Sequence, residues 1–73
     1  MLKVSYREPE QELQQQILVE APPVVSEAVA LLWILQSMES RGDAVNADWT
    51  ADLATLRKQI AAVGVTDVTW EVV

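Results

Sequence analysis

Glu8, Glu10 and Glu12 form the densest group of side chains in this chain that could do chemistry. Carboxylates at alternate positions around Pro9 suggest either a hard-cation site or an acidic tip on a turn. Calcium needs about six to eight oxygens in a defined geometry, usually around a sharp glycine turn. No such spacing surrounds these residues, so they read as a solvated acidic tip with no metal bound. Among the 73 residues there is no His and no Cys, which removes the commonest general base, the thiolate nucleophile and the usual zinc ligands. A Ser, Thr or Tyr hydroxyl would have to be activated by Lys3, Lys58 or a carboxylate. With two glycines in all there is no phosphate-cradling loop and no Gly-x-Ser-x-Gly elbow. The expectation is a protein that is not an enzyme, takes no cofactor and works by contact.

Contact residues must then be sought among exposed charge and aromatic rings. Arg41-Gly42-Asp43 matches a tripeptide read by adhesion receptors, but its position after an apolar helical stretch gives Gly42 the role of helix stop and Asp43 that of a polar loop residue. Trp and Tyr are enriched at binding hot spots because they bury much area and carry a polar handle. In so small a chain Trp70 and Trp33 are expected in the core. Trp49, beside a polar loop, and Tyr6, beside the acidic tip, are expected to reach a partner. The candidate partner-binding residues are therefore Tyr6, Arg7, Glu8 and Glu10 at one hairpin end, with Arg41, Asp43, Asp48 and Trp49 at the start of a second helix. A free sheet edge that accepts a strand from another chain is a second route, which leaves no signature in residue types.

Length and composition bound the scaffold. Seventy-three residues make one domain, 1–73, and without cysteines or a zinc cluster its stability must come from packing. A hydrophobic fraction of 51% suffices for a core. The net charge of −6 argues against a binder of the phosphate backbone, so no direct sequence-specific nucleic-acid contact is expected; it favours a basic protein surface as partner, or simple solubility. The opening residues do not form a secretory signal, and the longest apolar run, Ala28 to Leu35, is too short to cross a membrane. A monomer in the cytoplasm is the expectation.

The elements that position these residues follow from periodicity. Leu2, Val4 and Tyr6 alternate with Lys3, Ser5 and Arg7, the pattern of a strand with one buried face. After a turn at Glu8-Pro9-Glu10 the alternation resumes from Gln11 to Ala21, and Pro22-Pro23 ends it. Ser26 is placed as N-cap of a helix from Glu27 to Ser40, apolar around much of its circumference. Asn46 or Asp48 is placed as cap of a second helix carrying Trp49, Leu53, Leu56, Ile60 and Val63, stopped by Gly64. Val65 to Val73 alternates again and makes a third strand. The fold class is α+β, in the order β-β-α-α-β, a small antiparallel sheet with a two-helix hairpin on one face. Leu31, Leu35, Leu53, Leu56, Ile60, Val19 and Trp70 are expected to share one core.

The length, the acidity and the opening Met1-Leu2-Lys3-Val4-Ser5-Tyr6-Arg7-Glu8-Pro9-Glu10 resemble the small RNA-polymerase-binding transcription regulators of lytic Xanthomonas phages. The resemblance implies a phage protein in the host cytoplasm that binds bacterial RNA polymerase, at the N-terminal region of the largest subunit and the flap near the RNA exit channel. It implies inhibition of host initiation and promotion of antitermination. No binding residue is carried over by a motif. The alternative reading of the same acidity is an inhibitor of another host complex, an anti-CRISPR-like mimic of nucleic acid.

Overall fold

A computed structural model describes all residues 1–73. Three strands and two helices follow one another as β1 (Leu2–Arg7), β2 (Gln15–Val19), α1 (Glu27–Ser40), α2 (Leu53–Ala62) and β3 (Thr66–Val72). The sheet is antiparallel throughout, in the order β2-β1-β3, so the N-terminal strand is central and both others are edges. Leu2, Val4 and Tyr6 stand on the face covered by the helices and are at most 3% exposed. Opposite Val4 lie Ile17 on one side and Trp70 on the other.

Helix α1 starts where the sequence places it, with Ser26 as N-cap: its hydroxyl accepts from the Val29 amide at 3.4 Å. Ala30, Leu31, Leu32, Ile34, Leu35 and Met38 are buried. A helix apolar on so many sides needs cover beyond one sheet face. Residues 41–52 supply part of it by running back along α1. The Ala47 amide donates to Glu39 Oε2 at 2.7 Å, and Trp49 packs edge to face on Trp33, with ring centroids 5.2 Å apart at 82°. Both helices lie on one face of the sheet, but the connection between them is this long packed segment and not a tight turn.

Several expectations about extent need correction. The second strand begins at Gln15, not Gln11, because Glu10 is in the left-handed region (φ 64°) and the Gln11 amide turns back to the Glu8 carbonyl at 3.3 Å; Leu13 is left 78% exposed. The second helix is capped by Asp52, whose Oδ1 accepts from the Thr55 amide at 2.9 Å, and not by Asn46 or Asp48. Asp48 instead closes its own turn, accepting from the amide and hydroxyl of Thr50 at 2.9 and 2.6 Å, so Trp49 lies before the helix.

Of the expected core, Leu31, Leu35, Leu56 and Ile60 are buried, and Leu53 and Val19 pack half-buried against them. Trp70 is not core: it is 37% exposed, because β3 is an edge strand that the helices only partly cover.

Gly64 adopts φ +77°, and a Cβ there would stand 2.5 Å from Pro9 Cγ, so this glycine lets the β1–β2 turn seat against the end of α2. Gly42, at φ +96°, has open space around its Cα. Gly42→Ala is expected to cost about 1 kcal/mol for the left-handed backbone alone, and Gly64→Ala about 2–4 kcal/mol because overpacking adds to it. Equal losses of stability in denaturant melts would contradict the packing of Pro9 on Gly64.

Candidate functional site

The acidic turn and the end of α1 meet at one pole of the molecule. The α1 helix ends at Ser40, and the Arg41 amide bonds back to the Ser37 carbonyl at 3.1 Å, which directs the Arg41 side chain toward the end of β1. Arg41 Nη2 lies 2.8 Å from Glu8 Oε1 and also pairs with Asp43 Oδ2, while Arg41 Nε donates to the same Asp43 oxygen at 3.1 Å. The Glu8 oxygen lacks a well-directed hydrogen bond, so Arg41 meets it chiefly as a charge. Glu8, and then Asp43, hold the guanidinium above its usual value. The side chains at the ends of the Arg41-Gly42-Asp43 tripeptide are thus bound to each other, while the helix stop itself is made by backbone bonds from the Gly42 amide to the Glu39 carbonyl at 3.0 Å and the Asp43 amide to the Met38 carbonyl at 3.1 Å.

The structure joins Glu8 of the hairpin end to Arg41 and Asp43, which the sequence reading kept apart from it at the entrance of the second helix, and leaves Glu10 exposed at the turn tip. Tyr6 is corrected: it is 3% exposed and lies under this cluster, unable to reach a partner. Burial raises its phenol above the ordinary value, the nearby Glu8 charge adds to the rise, and Ser37 and Arg41 oppose it. The alternation with Leu2 and Val4 already placed Tyr6 on the buried face. Arg7 points away from the cluster and pairs with Asp67 at 3.6 Å.

Asp48 and Trp49 form a second patch, on the flank of α1. The Trp49 ring is half exposed, held by Trp33 and by a 3.4 Å bond from its Nε1 to Gln36 Oε1. Here an aromatic face is exposed beside a carboxylate on a braced loop, the combination that suits a protein contact.

Lys3, Arg7, Arg41 and Arg57 are all engaged by carboxylates of the chain, which leaves Lys58 as the one unpaired cationic side chain. Glu10, Glu12, Glu20, Glu39, Asp48 and Asp52 have no cation partner. The net charge of −6 is therefore displayed outward by carboxylates. No group of three or more potential ligands is arranged to hold a metal ion, and no helix is long and apolar enough to cross a membrane.

Sequence reasoning offered a free sheet edge without saying which strand forms it, and missed that Trp70 and Val72 of the edge strand β3 are 37% and 63% exposed. Alternation had shown which face these residues share, but whether helices cover that face depends on strand order. Comparison with family models, with curated proteins and with solved structures finds no match.

Two titrations follow from the geometry. Tyr6 has a raised phenol value when folded, so the stability it contributes is complete below the usual value of about 10 and is lost as pH rises through the folded value. Absorbance titration should show phenolate forming later than in free tyrosine and together with unfolding; Tyr6→Phe should blunt the alkaline loss, and an ordinary, reversible phenol titration in folded protein would contradict the burial.

At the acid side, Thr50 holds Asp48 and Thr55 holds Asp52 below the usual carboxyl value through side-chain and backbone hydrogen bonding. Their contribution is present above about pH 4 and disappears as pH falls through the lowered folded values. Asp52→Asn should flatten the acid limb of a plot of melting temperature against pH. An unchanged limb would show that the cap does not titrate with folding.

Proposed function

We propose that this chain is a non-catalytic regulator that acts by binding bacterial RNA polymerase, inhibiting initiation at host promoters and promoting antitermination. The observation that carries the contact reading is the charge distribution: four of the five basic side chains are neutralised within the molecule, whereas most carboxylates face outward unpaired. A surface so biased is drawn to a basic protein surface, and complementary charge speeds encounter more than it strengthens the final complex. Support for polymerase as the partner comes from the resemblance of the opening residues and the overall acidity to phage polymerase regulators. The pole at Glu8, Glu10, Arg41 and Asp43, and the flank at Asp48 and Trp49, are the proposed contact residues. Arg7 contributes to the sheet's outer face, and Tyr6 acts as the pole's buried support.

The test uses purified bacterial RNA polymerase in binding, promoter-initiation and terminator read-through assays. The wild-type chain should bind, repress initiation and increase read-through, with an association rate that falls as salt rises. The Glu10→Lys, Glu12→Lys double variant changes exposed side chains only and should slow association roughly 10-fold or more at low salt. Trp49→Ala should speed dissociation by about 10-fold if the Trp49 patch is central, because truncating a hot-spot aromatic costs over about 1–2 kcal/mol. Absence of binding to polymerase would overturn the identification. Capture of a nuclease surveillance complex in its place would favour the nucleic-acid-mimic reading.

A further inference from the structure

The unused edge of β3 has the composition and charge pattern of a self-pairing strand. Met1 and Val73 exchange both backbone bonds, the Val73 amide donating to the Met1 carbonyl at 2.8 Å and the Met1 nitrogen donating to the Val73 carbonyl at 3.0 Å. In an antiparallel ladder such pairs alternate with non-bonded ones, so Lys3–Glu71 and Ser5–Thr69 also face each other through their backbone groups. The N–H and C=O groups of Trp70 and Val72 therefore point away from β1, into the open edge. These residues also carry the exposed apolar side chains on the helix-side face, with Val68 half-buried beside them.

Edge strands are commonly guarded by charge, especially Lys. Strand β3 has no Lys, and its two carboxylates, Asp67 and Glu71, are turned to the other face and neutralised by Arg7 and Lys3 of β1. Near Asp67, which sits at φ 55°, β3 carries an extra residue relative to β1; this bulge restricts regular pairing to the stretch from Val68 onward.

We propose that a second copy of this chain docks on this edge by antiparallel β3–β3 pairing about a two-fold axis at Trp70, giving a continuous six-stranded sheet. Charge selects the register. A two-fold at Thr69 would set Asp67 against Glu71 of the other copy twice, acid opposite acid. A two-fold at Trp70 sets Trp70 against its own copy, Val72 against Val68, and Glu71 against the neutral Thr69. The second register joins apolar to apolar on the helix side and pairs no like charges on the outer side. Because the strands run in opposite directions, the acidic poles of the two copies also lie at opposite ends of the shared strand pair. The interface is isologous and closes on itself as a dimer.

Sedimentation equilibrium over a concentration series tests this, using the whole chain and two variants at the exposed Thr69. The wild type should pass from monomer to dimer and stop there, and added salt should tighten the dimer by screening the −6 charge of each copy. Thr69→Lys places a cation opposite each Glu71 and should tighten association by about 2- to 30-fold; Thr69→Glu should weaken it similarly. Val72→Pro, which removes an amide that β1 does not use, should abolish dimers while far-ultraviolet circular dichroism stays native. A single monomer mass up to about 1 mM, assembly growing beyond a dimer, or weakening by Thr69→Lys, as the Thr69-centred register would give, overturns the proposal.

Discussion

Everything in this fold depends on the N-terminal strand being central. Strand β1 bonds to β2 on one side and β3 on the other, and the same few residues, Leu2, Val4 and Tyr6, are the buried face on which the helices rest. A chain of this length has little apolar area to spare, so one strand with two ladders and a fully covered face concentrates most of the cooperativity. Both chain ends are held as a result, since Met1 and Val73 close the last rung of the β1–β3 ladder.

The second constraint is the unusual greasiness of α1. One sheet face and one short helix cannot cover a helix that is apolar on most sides, and the returning segment 41–52 completes the enclosure through Val45, Ala47 and Ala51 together with Trp49 on Trp33. This demand for cover shapes the surface available to partners. It braces Trp49 in a half-exposed position beside Asp48, and it sends Arg41 back to the acidic turn, where it gathers Glu8 and Asp43. The proposed contact surfaces are by-products of how the core is sealed.

Electrostatics then divide the molecule's roles. Internal pairs absorb nearly all of its positive charge: Lys3 with Glu71 and Arg7 with Asp67 across the sheet, Arg57 with Glu27 between the helices, Arg41 at the pole. Apart from the largely buried Glu8 carboxylate, these groups are solvent-exposed, and such pairs contribute little stability each. Their larger consequence is on the field that remains, which is acidic apart from Lys58, while the carboxylates of the β3 edge are paired. The proposed binding to a basic partner and the proposed self-association use different surfaces and should respond to salt in opposite directions.

Local signals in the chain mark the elements and much of their bounds. Alternation marks β1, β2 and β3, Ser26 marks the start of α1, Gly64 marks the stop after α2, and the spacing of Leu31, Leu35, Leu56 and Ile60 marks the core, because each signal is local and fixed by backbone period or cap chemistry. Composition likewise shows the acidic bias, a net charge of −6. Strand order, and with it burial, depends on contacts between elements far apart in the chain. Trp70 and Tyr6 occupy alternating positions of similar strands, yet Tyr6 is sealed because β1 is central and Trp70 is open because β3 is an edge. Asp48 and Asp52 are chemically equivalent caps, and the choice of Asp52 followed from Trp49 being held against Trp33 by contacts distant in sequence. Period tells which residues share a face; only packing tells whether anything covers it.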